Sequence, residues 1–222
     1  MMLRKKGRII MMNNRKTSVF DGILGDNMVL SSLMVISPVI ICGDTLKNAE
    51  ALSYAFSSIT ILSMLIGSFV PKKLPYTVKI IIYALISSLV FIPLKFATHE
   101  FYRGAIDRIG IYFPLLAVNS LIVLQSEAKF FRMPRTKMFF SLLFYVVGFD
   151  IVMLLTGFIR ELFAYGTING RVADVDMPVF GLSQPFGGFI FLGLMCGAYR
   201  WIRKLLIREK KEIRSVDNVS DK

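Results

Sequence analysis

The chain has 222 residues, 55% hydrophobic and 19% charged, with a mean hydropathy of +0.60. Soluble domains carry about 45–50% apolar and about 25% charged residues, and here the apolar residues come in long blocks, so the composition excludes an ordinary soluble globule and points to a polytopic membrane protein. The formal net charge of +12 sits in short segments between those blocks and is not a nucleic-acid signature; with Cys42 and Cys196 as the only cysteines, a disulfide framework and a Cys-rich zinc module are both excluded.

In chain order, residues 1–20 read as a basic cytoplasmic segment. Met1, Met2, Met11 and Met12 all offer starts, and residues 1–10 carry no packing signal. The apolar run that follows is too long for a signal peptide and lacks a small-x-small cleavage site, so it reads as an anchor. Six blocks are long enough to be read as crossing about 30 Å of hydrocarbon: residues 23–43, 51–70, 78–96, 110–124, 138–158 and 186–207. Residues 208–222 read as a charged cytoplasmic tail or helix extension. The predicted fold class is therefore an all-α integral membrane protein with a six-span domain over residues 21–207.

Lys and Arg set the orientation. With the N-terminus inside, 21 of the 27 basic residues fall on the cytoplasmic side, in the N-terminal segment, around Lys72 and Lys73, around Arg132 and Arg135, and from Arg200 onward. Both termini are expected in the cytoplasm of a bacterial plasma membrane.

Three spans precede the loop around His99 and three follow it, so related halves (about 21–98 and 108–207) would be inserted with opposite orientation. Inverted repeats place sites where discontinuous helices meet near the midplane. The first span of each half carries the marks of such a break, Ser37-Pro38 in one and Pro114 with Asn119-Ser120 in the other. Proline removes a donor and disturbs the preceding turn, which is tolerated at membrane depth only where protein, water or a ligand satisfies the freed carbonyls. The same residues also fit simple proline kinks.

Several stretches resemble, in order and over nearly the whole chain, membrane subunits of the Rnf and Nqr ion-translocating electron-transport complexes: the E subunit of Rnf and its counterpart in Nqr, the D subunit. The stretches are Asp26-Asn-Met-Val-Leu30 with Ile36-Ser-Pro38, Val70-Pro-Lys-Lys-Leu-Pro75, Gly110-Ile-Tyr-Phe-Pro-Leu-Leu-Ala-Val-Asn-Ser120 with Ser126-Glu-Ala128, Gly157-Phe-Ile-Arg-Glu-Leu162 with Tyr165-Gly-Thr-Ile168, and Pro185-Phe-Gly-Gly-Phe-Ile190. The resemblance implies a 2Fe–2S cluster shared with a homologous subunit of opposite topology, two thiolates coming from either side. At the two matching positions this chain has Ser37 and Ser120. Iron–sulfur sites select soft thiolate, so no cofactor and no metal ligand are expected on this chain. Cys42, five residues beyond Ser37, and Cys196 read as small core residues.

Asp150, inside span five, reads either as an ion-path residue or as a carboxyl hydrogen-bonded within the bundle. Arg160 and Glu161, at the outer end of that span, match a family motif and read as packing and interface anchors. Glu127, at the inner end of span four, reads as a cap or a partner of the basic loop. His99 beside Glu100 reads as solvated, Gly193-x-x-x-Gly197 as a close helix approach, and the Asn218-Val-Ser220 pattern is meaningless in a cytoplasmic tail. No nucleophile triad, phosphate loop or flavin site is visible. The expected function is a membrane subunit of an Rnf/Nqr-type complex coupling electron transfer to ion movement, a divergent copy without its share of the cluster. Its partners would be the other membrane subunits, above all the opposite-topology homologue, and lipid. A solute or ion transporter on the same scaffold and a non-catalytic assembly subunit are the alternatives.

Overall fold

A computed structural model describes residues 27, 29–30, 35–71, 73–119, 121–126, 130–173 and 179–220. The chain is mostly helical. In order come α1 (Ile36–Cys42), α2 (Leu46–Gly67), α3 (Tyr76–Phe101), α4 (Ala105–Ile109) and α5 (Tyr112–Leu115), which runs into a 3-10 turn at Leu116–Val118. A π-helical turn (Leu121–Gln125) and a 3-10 turn (Phe130–Arg132) lead to α6 (Arg135–Tyr165). After α6 a short hairpin pairs β1 (Thr167–Ile168) with β2 (Arg171–Val172), Thr167 opposite Val172, and α7 (Pro185–Ser220) follows. The hairpin is the one described departure from the all-helical expectation. Its turn, Asn169-Gly170, has positive φ at both residues, the geometry that favours Asn-Gly in two-residue hairpins.

Among the described residues, α2, α3 and α6 are long and apolar enough to cross a membrane. α3 and α6 run past both ends of their predicted blocks, whereas α2 starts before its block and stops at Gly67, short of residue 70. α2 starts at Leu46 because Thr45 caps it, its hydroxyl accepting from Asn48 N at 3.4 Å, so the polar residues Lys47, Asn48 and Glu50 are carried at its first turns. α6 begins directly after Pro134, which has the extended ψ of a helix entry. α7 continues without interruption through the charged run after Ile207 to Ser220, in keeping with its Glu, Lys and Arg, which are good helix formers.

The core forms where α2 crosses α6. Phe56 and Phe149 stack there with ring centroids 3.9 Å apart, beside Leu52, Ile59 and Met153, all fully buried. Lipid is as apolar as leucine, so helices in a membrane associate through close packing and hydrogen bonds. Gly157 supplies the close approach: a Cβ there would stand 2.6 Å from Ala49 Cβ and 3.0 Å from the Thr45 carbonyl oxygen. About half of the apolar stretch of α2 and of α6 is buried (56% and 50%), against 11% for α3. The α3 side chains Ile81, Leu85, Leu89, Ile92 and Phe96 form an exposed apolar stripe, as expected of a peripheral helix facing lipid.

Candidate functional site

Two interrupted segments and two polar clusters make up the candidate site. In the first segment the chain enters α1 through Val35, whose φ of 55° lies in the left-handed region, rare for a β-branched residue. Ser37 and Pro38 then fall in the first turn of α1; Ser37 is exposed and Pro38 buried. In the second, Pro114 sits inside the four-residue helix α5, and the break comes five residues later at Asn119, with ψ of 153°. The prolines thus do not make the breaks. A first helical turn has no intrahelical partner for its N–H groups, so proline costs nothing there; the interruptions are made by Val35 and Asn119. Ser120 and Glu127 lie outside the described residues.

Two buried asparagines tie these segments to the central helices. Asn119 Oδ1 accepts from Ile122 N at 3.1 Å, and its Nδ2 donates to the Leu116 carbonyl at 3.0 Å and to Thr60 Oγ1 on α2 at 3.1 Å. Asn27 Oδ1 accepts from Val29 N at 3.0 Å and Leu30 N at 3.2 Å, and its Nδ2 donates to the Gly148 carbonyl on α6 at 2.8 Å. Each asparagine satisfies backbone N–H groups of a turn and reaches the central helix of the other half of the chain. In the sequence, Asn27 is marked only by its place in a motif.

The second group stands at the far end of α6. Arg160 is fully buried, yet among the described residues its guanidinium meets carbonyls and no carboxylate: Nη1 donates to Ile40 O at 2.5 Å, Nε to Leu182 O at 2.9 Å, and Nη2 to Ser183 O and Gln184 O at 3.3 and 3.4 Å. It therefore joins α1 to the turn that enters α7. Gly188 permits this, since a Cβ there would lie 3.1 Å from the guanidinium and 3.0 Å from Ile40 O. Its neighbour Glu161 turns elsewhere. Oε2 accepts from Leu46 N, the first residue of α2, at 2.7 Å, and Oε1 accepts from Gly170 N at 3.0 Å and Thr167 Oγ1 at 3.2 Å. The carboxylate caps the start of α2, where anionic groups are favoured, and pins the hairpin to it. Arg160 and Glu161, adjacent and opposite in charge, each anchor a different junction.

Asp150 lies one residue beyond the Phe149 stack, and its Oδ2 accepts from Ser57 Oγ on α2 at 2.7 Å. Cys42 is buried at the end of α1, and Cys196 is buried on α7. Among the described residues, no three His, Cys, Asp or Glu side chains converge on a metal position. His99 closes the last turn of α3 and is exposed, beside the exposed Glu100–Arg103 ion pair. Among the described residues, Gly193 and Gly197 meet nothing within 4 Å of a would-be Cβ and mediate no close helix approach.

Comparison with known proteins agrees with this helical, membrane-spanning arrangement. The family model described as Rnf-Nqr subunit, membrane protein, matches residues 16–206. The D subunit of the Na+-translocating NADH-quinone reductase of Pseudoalteromonas translucida is 25% identical, over 88% of this chain and 96% of that protein. The E subunit of the ion-translocating oxidoreductase complex of a Shewanella species is 25% identical, over 91% and 94%, and that of Pseudoalteromonas atlantica 27%, over 84% and 87%. A match that takes in the interrupted segments, α6 with Arg160 and Glu161, and most of α7 establishes that the chain belongs to the Rnf-Nqr family of membrane subunits.

Proposed function

We propose that the chain is a membrane subunit of an Rnf/Nqr-type complex that couples electron transfer to ion translocation, and that it gives no ligand to an intramembrane iron–sulfur cluster. The family match over residues 16–206 carries the first half. The donor chemistry carries the second. Ser37 offers an exposed hydroxyl on α1 where the family resemblance expects a thiolate, and Ser120 holds the other matching position. A thiol has a pKa of about 8.5 that falls further on a metal, whereas an alkoxide is a hard ligand from a far weaker acid. Cys42 and Cys196 are buried side chains of α1 and α7, which supports reading them as packing residues. A four-thiolate cluster does not fit this donor set, and no electron-transfer step is assigned to this chain.

In this reading the chain has six spans arranged as a 3+3 inverted repeat, with α1 and the broken α5 segment as the half-spans and both termini in the cytoplasm of a bacterial plasma membrane. Three observations support it: the interruption of the first span in each half, the exchange of asparagine contacts between the halves, and the basic residues gathered on one side. Asn27 of the first span reaches α6, and Asn119 of the fourth reaches α2, the reciprocal pattern of a two-fold arrangement. The partner expected at the half-spans is the homologous subunit of opposite topology. Affinity purification of the tagged full chain from its native membrane tests the assignment. Other Rnf/Nqr-type subunits should co-purify in stoichiometric amounts; isolation of the chain alone from gently solubilised membranes contradicts it.

A further inference from the structure

We propose that Asp150, Ser57 and Ser53 form a binding site for one monovalent cation, a proton or a sodium ion, inside the membrane at the crossing of α2 and α6. The inference stands on the packing of this chain and does not depend on the cluster-free reading. The Phe56–Phe149 stack sets the register of the two helices, and the next residue on each, Ser57 and Asp150, meets its opposite through the 2.7 Å hydrogen bond to Oδ2. Ser53 lies four residues before Ser57, hence on the same face of α2.

The hydrogen bonding of this group is incomplete. Asp150 Oδ1 is buried with no hydrogen-bond partner, and so is Ser53 Oγ. Among the described residues no cationic side chain pairs with Asp150. Buried polar atoms are nearly always satisfied, and an exception signals a missing water, ion or functional role. A carboxylate with one bare oxygen is costly at this depth. Binding a cation to Oδ1, with the two hydroxyls turning their lone pairs toward it, removes that cost. Hard cations take oxygen ligands, and a single carboxylate balances one positive charge; a divalent ion would leave a net charge buried.

Infrared difference spectroscopy on the full chain in lipid vesicles, with isotope-labelled aspartate, tests the site. One arm titrates pH without sodium, and the other adds sodium against choline at fixed pH. A carboxyl band that responds in either arm, is absent from Asp150→Asn, and shifts its midpoint by about tenfold or more in Ser57→Ala and Ser53→Ala, as expected for losing a hydrogen bond to a charged group, supports the site. The responding arm identifies the ion. If Asp150→Asn does not fold, the labelled wild type and the two serine variants decide the matter. A wild-type spectrum flat in both arms, or a response unchanged by the serine variants, overturns the proposal. Because the measurement uses the chain by itself, its outcome is separate from co-purification with a complex.

Discussion

Arg160 is the clearest case of one side chain holding several elements. A buried cation is usually paired with a carboxylate, but here the guanidinium spreads its charge over four carbonyls from α1 and the entry to α7. Ile40 and Leu182 lie in the last turns of their helices, where intrahelical donors run out, and Gln184 O also accepts from Gly188 N at 3.1 Å at the entry to α7. Replacing Arg160 with Gln removes the fork that reaches Ile40 O and Leu182 O together and should lower stability by about 3 kcal/mol, read from unfolding of the purified chain in detergent. Arg160→Lys should rescue little, since an ammonium cannot reproduce the planar fork; a lysine variant of wild-type stability would show that charge alone matters. Glu161→Ala should leave the α1–α7 junction intact but release the hairpin, so amide exchange at Gly170 should accelerate while the centre of α6 stays protected. Equal exchange in both proteins would contradict the pinning role. Neither set of partners was legible in the sequence, because backbone carbonyls carry no sequence signature. The motif showed that Arg160 and Glu161 matter; their contacts depend on how α1, α2 and α7 converge.

At the scale of elements, small residues and interruptions shape the bundle. Gly157 and Gly193 are both helical glycines in apolar surroundings, yet they should respond oppositely to the same change. Gly157→Ala drives a methyl group into Ala49 and should cost about 1–3 kcal/mol by overpacking, whereas Gly193→Ala meets nothing within 4 Å and should stay within about 0.5 kcal/mol of wild type. Thermal unfolding of the two variants side by side checks this, and equal shifts would contradict the packing described. The apolar blocks of the long helices were legible because a membrane span must be both long and apolar. The interruptions were legible only in outline: proline marked the neighbourhood, but Val35 and Asn119 make the breaks, since a first helical turn accommodates proline. The Asn169-Gly170 hairpin has a signature in its turn dipeptide, but strands of two residues are too short to show an alternating pattern beside the long apolar blocks. The Ser57–Asp150 contact joins residues 93 positions apart, and only the packing of α2 on α6 brings them together.

For the whole molecule, the basic residues make a topology prediction. Reporter fusions after Lys222 and within residues 71–77 should report cytoplasm, and fusions within residues 99–106 and 168–173 should report the opposite side. An outer-side signal from the C-terminus would sink the six-span arrangement. Membership in the Rnf-Nqr family, with match coverage of residues 16–206, places the chain among subunits of redox-driven assemblies, while its own polar groups serve anchoring and, at Asp150, the proposed ion site. In the function proposed above, this chain keeps the family scaffold without the metal ligands. Iron and acid-labile sulfide analysis of the chain purified with its partner, compared between wild type and Ser37→Ala, decides whether serine holds iron here. Ser37→Ala should change neither the iron content nor the visible absorption, whereas stoichiometric iron and sulfide lost on that substitution would show that serine ligates a cluster.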